Sequence, residues 1–290
     1  MLLAADWFAG PTLLTPGPPG AFDETAVKDP SIVFHDNAWH LFYTARGRGL
    51  YSLGYVRAST LEKLKVAPRR QIMPAYAAAP QVFYFRPHKK WYLIFQTTAA
   101  NYQPVFSTSA DLVNWTAPQS LINKRDSAKW IDFWVICDAG RAYLYFTRDH
   151  RELHMAATSI SAFPRGWDEP RPVFSPLHES AHIYATTGST PRYLLFFETQ
   201  QDDRRAYGLA EAATPAGPFR EVDRAFASKV HQPSWTAEVS HGELIREGND
   251  ERLLIDPNRL RFLIQGLPTG AHTGPYAELP WSLGIITPRP

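Results

Sequence analysis

A segment of about 50 residues recurs five times along this chain, and this repeat constrains the possible folds more than any other feature. Each copy opens with an apolar or alternating run and then passes a polar turn. Most copies continue into a second run rich in Tyr, Phe, Leu and Ile. Such runs around a polar turn are typical of β-hairpins. The copies start 47 to 62 residues apart, at Asp29, Ala79, Asp132, Glu179 and His241.

Further short strands follow several of these hairpins and end in polar motifs with an aromatic residue, such as STSADLVNW and ATSISAFPRGW. Units of this length with about four strands each are typical of the blades of a β-propeller. Five blades account for nearly all of the 290 residues. We therefore predict an all-β, five-bladed β-propeller that forms a single domain over residues 1–290. The segment STLEKLKV is the candidate for a short helix.

The composition agrees with this fold and excludes some functions. Aromatic residues make up 13% of the chain, which favours strands and suits stacking on sugar rings. The net charge is only +2, and the short basic segments APRRQ and QDDRRAY are interpreted as solvated loops, so nucleic-acid binding is not expected. The only cysteine, Cys137, lies in the apolar run FWVIC and is expected to be a small buried side chain.

The location of the protein stays open from the sequence. The N-terminus MLLAADWFAG lacks the basic region and long apolar core of a signal peptide. No stretch approaches the roughly 20 apolar residues that span a membrane. We expect either a cytoplasmic protein or an exported protein whose signal has been removed, with no membrane partner.

Three carboxylic acids start repeats of the predicted propeller. The first strand of each blade runs along the central channel, so Asp29, Asp132 and Glu179 are expected to meet at one end of the axis. Clustered carboxylates repel each other and raise each other's pKa. We therefore prefer a functional site to three separate strand caps or salt bridges.

At these residues the sequence resembles glycoside hydrolase family 62, the α-L-arabinofuranosidases with a five-bladed β-propeller, which are related to family 43. The most specific motifs are KDPSIVFHDNAWHLFYTA, WIDFWVICDAGRAYLYFT, HESAHIY and SWTAEVSHGELIREGNDERLLIDPNRLRFLIQG. The resemblance covers nearly the whole chain. It departs from the usual pattern before Ser-His-Gly, where Ala237, Glu238 and Val239 stand, and these differences concern substrate contacts more than the three acids.

The resemblance implies a role for each residue at the predicted site. Asp29 is the general base, Glu179 is the general acid, and Asp132 orients the substrate and tunes the pKa of the acid. His241 supplies a ligand to one calcium ion at the axis, although a hydrogen-bonded histidine is the alternative. Inverting hydrolysis needs two carboxyl groups about 6.5–9.5 Å apart and an acid whose pKa is raised.

Six further residues are candidates for substrate binding, and for most of them an ordinary structural role also stays open. They are Lys28, Gln96, His182, Glu198, Arg246 and Tyr276. An ion pair between an acid and an arginine is the common alternative for Glu198 and Arg246.

The expected function is inverting removal of terminal α-L-arabinofuranosyl groups from a plant polysaccharide such as arabinoxylan. The expected partner is a polysaccharide or oligosaccharide substrate, and the protein is expected to be a monomer, secreted if the resemblance holds. The alternatives are a related propeller glycosidase with a different sugar specificity and a non-catalytic carbohydrate-binding propeller. The second alternative predicts the loss of a carboxylate, and all three are present.

Overall fold

The strands of this protein form five sheets, as the repeat predicts. The computed structural model describes residues 6–73, 76–97, 102–124, 126–188, 190–201, 204–232, 234–271 and 273–288. Within these ranges four sheets have four strands each and one has five. The innermost strands contact one another in a closed ring, so the five sheets are the blades of a propeller and the predicted fold class is confirmed.

The chain enters through β1 (Trp7–Leu14), which belongs to the last blade. The first blade follows as β2 (Ala26–His35), β3 (Ala38–Gly47), β4 (Leu50–Ala58) and β5 (Arg69–Met73). The second blade is β6 (Ala77–Phe85), β7 (Lys90–Thr97), β8 (Gln103–Ser109) and β9 (Gln119–Ser120). The third blade is β10 (Trp130–Cys137), β11 (Arg141–Arg148), β12 (Glu152–Ser159) and β13 (Arg171–Phe174).

The last two blades share the C-terminal part of the chain. The fourth blade is β14 (Glu179–Thr186), β15 (Tyr193–Gln201), β16 (Arg204–Ala212) and β17 (Arg220–Ala227). Next, β18 (Ser240–Leu244) opens the fifth blade, and β19 (Leu254–Ile255) returns to pair parallel with β14. The fifth blade ends with β20 (Phe262–Gly266) and β21 (Ser282–Pro288), and β1 pairs with β21, so strands from both ends of the described chain close the ring.

Helical structure in the described residues is limited to three short 3₁₀ segments. They are Glu62–Val66, Arg86–His88 and Tyr276–Glu278. The first lies inside STLEKLKV, where the sequence predicts a short helix. No helix among the described residues is long and apolar enough to cross a membrane.

Aromatic side chains fill the space between the blades. Trp7, Trp91, Trp134 and Trp281 are almost completely buried. The inner strands β10 and β14 are buried along their whole length because neighbouring sheets cover them on both faces. Cys137 lies in this core, as expected.

A bulge interrupts the inner strand of every blade near its start. The register of pairing shifts at Lys28/Ser31, Ala78/Gln81, Ile131/Trp134, Glu179/His182 and Ser240/Gly242. Within four of these bulges one residue other than glycine has a positive φ, and these residues are Asp29 (45°), Ala79 (52°), Asp132 (58°) and Ser180 (50°). Such strained positions need support from the surrounding structure and cluster at functional sites.

The bulges correct one detail of the predicted repeat. Asp29, Ala79, Asp132 and His241 occupy the same place in their blades, but in the fourth blade that place belongs to Ser180. Glu179 therefore lies one residue earlier than the matched position. The sequence could not reveal this shift because β14 is buried along its whole length, so no alternation of buried and exposed residues marks its register.

Side chains from the preceding blade hold these bulges in place. Each bulge N–H donates a hydrogen bond across the blade boundary, as Asp29 to Gln265 Oε1 (3.0 Å), Ala79 to Thr44 Oγ1 (2.7 Å), Asp132 to Gln96 Oε1 (2.9 Å), Ser180 to Asp132 Oδ2 (2.8 Å) and His241 to Glu198 Oε2 (2.9 Å). In four cases the acceptor lies on the second strand of the preceding blade. These bonds satisfy buried donors and join the blades into a ring.

Candidate active site

Three of the predicted site residues meet at the end of the propeller axis through their bulges. Asp29 and Asp132 are both largely buried. His241 Nδ1 lies 3.3 Å from Asp29 Oδ1 and 3.9 Å from Asp132 Oδ1. Asp132 is also tied to the residue after Glu179 by the bond from the Ser180 N–H. The structure therefore brings Asp29, Asp132, Glu179 and His241 to one place, as the sequence predicts.

The environment of Asp132 makes this side chain harder to ionise than an ordinary aspartate. Burial raises the pKa of Asp132 to about 6, His241 opposes this shift, and the negative charges of Glu179 and Asp29 add to it. This arrangement follows the physical rule that buried carboxylates close together do not all ionise at once. Asp132 is thus electrostatically coupled to both carboxyl groups to which the resemblance assigns catalysis.

Glu179 has three basic neighbours that the sequence did not indicate. Arg205 Nη1 contacts Glu179 Oε1 and lies 2.6 Å from Glu198 Oε1, so one guanidinium bridges two carboxylates. His150 Nδ1 lies 3.1 Å from Glu179 Oε2, and His178 Nε2 lies 3.9 Å from the same oxygen. The segment QDDRRAY was interpreted as a solvated loop, but the Arg205 side chain is only 13% exposed and lies in the site.

The general acid is expected to have a raised pKa, but it is the pKa of Glu198 that is raised, and the pKa of Glu179 is lowered. Burial alone would raise the pKa of Glu179, but the close contact with His150 Nδ1 and the charge of Arg205 outweigh it and hold this pKa well below its usual value. Burial raises the pKa of Glu198 to about 7 despite Arg205, and the charge of Glu179 contributes. The surroundings of the two groups therefore favour the ionised form of Glu179 and the protonated form of Glu198.

Lys28 and Tyr276 form the outer part of the site. The Lys28 Nζ atom lies 4.2 Å from the centre of the Tyr276 ring, and the Arg205 guanidinium lies 4.6 Å from it. Cations over an aromatic ring are attracted by its π-electrons. Tyr276 is 37% exposed, so it is the predicted substrate-binding residue most accessible to a ligand.

The other four candidates for substrate binding have structural partners. Gln96 and Glu198 accept the bulge N–H groups of Asp132 and His241, and Glu198 also accepts from Ser240 Oγ. His182 Nδ1 lies 2.9 Å from the Gly242 carbonyl oxygen, and its ring stacks on Trp134. These contacts position the site, and a direct bond from Gln96, Glu198 or His182 to a sugar stays a prediction.

Arg246 is not placed to bind substrate, contrary to one prediction from the sequence. Its Nη2 atom donates to the carbonyl oxygens of Ile32 and Val82 and lies 2.7 Å from Glu243 Oε1. The Arg246 side chain is 1% exposed. Because a guanidinium held this way ties three inner strands together and is closed to solvent, Arg246 is a structural residue, which is the alternative that the sequence left open.

The residues around His241 do not form a calcium site by themselves. Calcium prefers six to eight oxygen ligands, whereas His241 offers a nitrogen whose nearest carboxylate oxygens, on Asp29 and Asp132, lie at hydrogen-bonding or longer distance. Burial lowers the pKa of His241, but Asp29 and Asp132 outweigh burial and raise it. A protonated imidazole can thus neutralise these aspartates, and calcium at this position stays a prediction.

Comparisons with known proteins agree with the geometry. The sequence model described as glycosyl hydrolase family 62 matches residues 14–287. The chain is 32% identical over 300 residues to alpha-L-arabinofuranosidase C of Cellvibrio japonicus (strain Ueda107), covering 97% of this chain. It covers only 46% of that relative, so the chain spans about half the length of the curated protein that it matches.

Solved structures show the same similarity in three dimensions. The catalytic domain of the Coprinopsis cinerea GH62 α-L-arabinofuranosidase superposes with a TM-score of 0.91 at 34% identity, over 98% of this chain and 97% of that chain. A GH62 hydrolase in complex with xylotriose superposes with a TM-score of 0.88 at 28% identity, over 97% and 96% of the two chains. A thermostable family-43 glycoside hydrolase has a TM-score of 0.64 at 12% identity over 96% and 91% of the chains, and this likeness concerns the fold alone.

Proposed function

Because this chain belongs to glycosyl hydrolase family 62, whose model matches residues 14–287, we propose that it removes terminal α-L-arabinofuranosyl groups from a plant polysaccharide such as arabinoxylan. The observation that carries the proposal is the meeting of Asp29, Asp132 and Glu179 at one end of the propeller axis. Relatives named as α-L-arabinofuranosidases support the sugar, and the xylotriose complex of a family member supports a xylan-type backbone.

Asp29 is proposed as the general base and Glu179 as the general acid of an inverting reaction. Asp29 takes a proton from the water that attacks the anomeric carbon, while Glu179 gives a proton to the departing glycosidic oxygen. The anomeric carbon gains a bond to water and loses its bond to the polysaccharide from the opposite face. The product therefore has the inverted configuration.

Glu179 needs a proton before it can act as the acid, and its neighbours suggest a source. Glu198 pairs with Glu179 across β14 and β15, and Arg205 contacts both carboxylates. The carboxyl group in closer contact with Arg205 is ionised, and the other one carries the proton. Glu179 and Glu198 therefore share one proton as a coupled pair. When a bound substrate moves Arg205 away from Glu179 and towards Glu198, the pKa of Glu179 rises and the shared proton moves to Glu179.

Lys28 and Tyr276 are proposed to contact the sugar at the mouth of the site. The Lys28 ammonium offers a hydrogen-bond donor, and the exposed part of the Tyr276 side chain offers aromatic surface. Furanosyl hydroxyls and ring carbons need both kinds of contact. On the family resemblance we also propose a secreted monomer, with calcium as a further family feature that requires its own test.

Hydrolysis of defined substrates tests the proposal. The purified protein is assayed on 4-nitrophenyl α-L-arabinofuranoside, wheat arabinoxylan and arabinan, and the first-formed anomer is followed by NMR. We expect release of arabinose with inverted configuration. A retained anomer contradicts the mechanism, and binding to arabinoxylan without turnover identifies a carbohydrate-binding propeller.

A further inference from the structure

The two oxygens of Glu179 face different neighbours. Oε1 contacts Arg205, whereas Oε2 faces His150 Nδ1 at 3.1 Å and His178 Nε2 at 3.9 Å. One ligand-capable atom from each of His150, His178 and Glu179 lies within 4.8 Å of the others. Three atoms that can bind a metal ion therefore surround one small volume beside the proposed catalytic acid.

The two histidine nitrogens are buried and poorly satisfied. Among the described residues neither His150 Nδ1 nor His178 Nε2 makes a well-directed hydrogen bond. The rings stack with their centres 5.0 Å apart, and the two nitrogens lie 3.1 Å and 3.9 Å from the same carboxylate oxygen. Buried polar atoms without a good partner are uncommon in folded proteins and often mark a binding function.

The donor set matches borderline transition metals and not calcium. Two imidazoles and one carboxylate are ligands found in zinc sites that keep a fourth position for water, and imidazole also suits copper and nickel. We propose that His150, His178 and Glu179 bind one zinc ion or a similar divalent transition metal, and that this ion inhibits the enzyme by occupying the catalytic acid.

Inhibition follows from the position of the ion, and this part rests on the proposed function. A metal ion on Glu179 Oε2 keeps the carboxylate ionised because it takes the lone pair that would hold the proton. The glycosidic oxygen then leaves without protonation, so hydrolysis of polysaccharide should slow more than hydrolysis of an activated aryl glycoside. Arg205 stays on Oε1 and acts as a partner of the bound carboxylate.

Lys129 is expected to weaken binding of the metal ion. Its Nζ atom lies 2.8 Å from His150 Nε2, an arrangement in which the ammonium donates and Nδ1 carries the ring hydrogen. Metal binding at Nδ1 releases this proton to solvent, and Nε2 must then carry a hydrogen, so Lys129 has to turn away. Replacing Lys129 by Gln removes one positive charge and supplies an amide oxygen that accepts from Nε2–H. Metal binding should therefore become roughly threefold to tenfold tighter.

Binding is tested directly with zinc by calorimetry and with cobalt by its visible absorption, on protein first stripped of metal. We expect one equivalent bound by wild type, more than about tenfold weaker binding by His150→Gln and His178→Gln, and tighter binding by Lys129→Gln. His154→Gln is the matched control, since His154 is a buried histidine whose partner is Glu152. Circular dichroism and melting curves confirm that each variant is folded.

Two outcomes overturn the proposed metal site. Wild type that binds neither zinc nor cobalt in a one-to-one ratio has no such site, and unchanged binding in both His150→Gln and His178→Gln places the ion elsewhere. Inhibition is measured relative to the metal-free rate of each variant on polysaccharide and on the aryl glycoside. A bound ion that leaves both rates unchanged contradicts the inhibitory part. A protein without any hydrolytic activity contradicts the proposed function and leaves the binding result in place.

Discussion

Glu198 lies directly opposite Glu179 on the neighbouring strand, and Arg205 contacts both carboxylates. Like charges that face each other across a pair of strands destabilise a sheet unless a cation or a proton intervenes. Here both are present, since Arg205 supplies the cation and burial raises the pKa of Glu198 to about 7. This pair links the electrostatics of the site to the pH at which the acid can work.

The first prediction concerns Glu198→Gln. Without the second carboxylate, Arg205 is committed to Glu179 and lowers its pKa further. Since the acid must be protonated, activity is lost at the pH where the pair gives up its shared proton, and burial raises the pKa of the Glu198 carboxyl to about 7. The alkaline limb of the kcat/KM profile should move to lower pH, with a loss of about 10- to 100-fold above neutrality. An unmoved limb would show that Glu198 does not share a proton with the acid.

The opposite change is predicted for Arg205→Gln. Arg205 lowers the pKa of both carboxyl groups, so its removal should raise the pKa of the acid and move the alkaline limb to higher pH. Arg205→Lys keeps the charge and is the control, with a limb closer to that of wild type. A limb that moves to lower pH in Arg205→Gln contradicts this account of the charge balance.

The bonds between blades predict an effect on stability and on activity. Replacing Gln96 by Leu leaves the buried N–H of Asp132 without its acceptor, which should lower the free energy of unfolding by about 1–3 kcal/mol. Activity should fall as well, because the strained backbone that orients Asp132 loses its support. Urea unfolding and kcat/KM measure the two effects.

Thr147→Val is the matched control for Gln96→Leu. Thr147 occupies the equivalent place on the second strand of the third blade, but its hydroxyl oxygen is buried without a hydrogen-bond partner among the described residues. Its replacement should leave stability unchanged or raise it, because a buried hydroxyl without a partner costs free energy that Val does not. Equal losses in Thr147→Val and Gln96→Leu would mean that packing, and not the bond to Asp132, is what matters.

The two interpretations of His241 predict different responses to a calcium chelator. The contacts of His241 with Asp29 and Asp132 are those of a charged imidazole, so treatment with EGTA should leave the Tm unchanged. The calcium site that the resemblance implies predicts a lower Tm after chelation and recovery when calcium is added, because a ligand of the native state stabilises it. The second result would establish calcium binding and correct our interpretation.

The sequence revealed the fold because its signal is repeated and local. Five hairpins at regular spacing define the blades. Because the inner strands all begin at the same end of the axis, Asp29, Asp132 and His241 could be predicted to meet there before any contact was known. The one-residue offset of Glu179 was invisible because it depends on a bulge in a strand that is buried on both faces. A pattern of apolar residues does not record such a bulge.

The basic side of the site could not be predicted from local pattern. Arg205 lies near the start of β16, and His150 follows the end of β11. Both are in polar segments that resemble exposed loops, and they reach Glu179 only because the blades converge at this end of the axis.

The position of Gln96 near the axis was predicted, but its partner was taken to be the substrate. Its bond to the Asp132 N–H joins residues from different blades, and a sequence pattern does not show such a contact.

The leaving-group dependence of two variants tests most directly whether Asp29 is the base and Glu179 the acid. Glu179→Gln cannot protonate the departing oxygen, so kcat/KM should fall by about 10²- to 10⁴-fold on arabinoxylan and much less on 4-nitrophenyl α-L-arabinofuranoside, whose leaving group needs little help. Asp29→Asn leaves the water unactivated, so its loss should be similar on both substrates and partly restored by azide. Equal losses on the two substrates for Glu179→Gln, or losses below about tenfold for both variants, would contradict these roles.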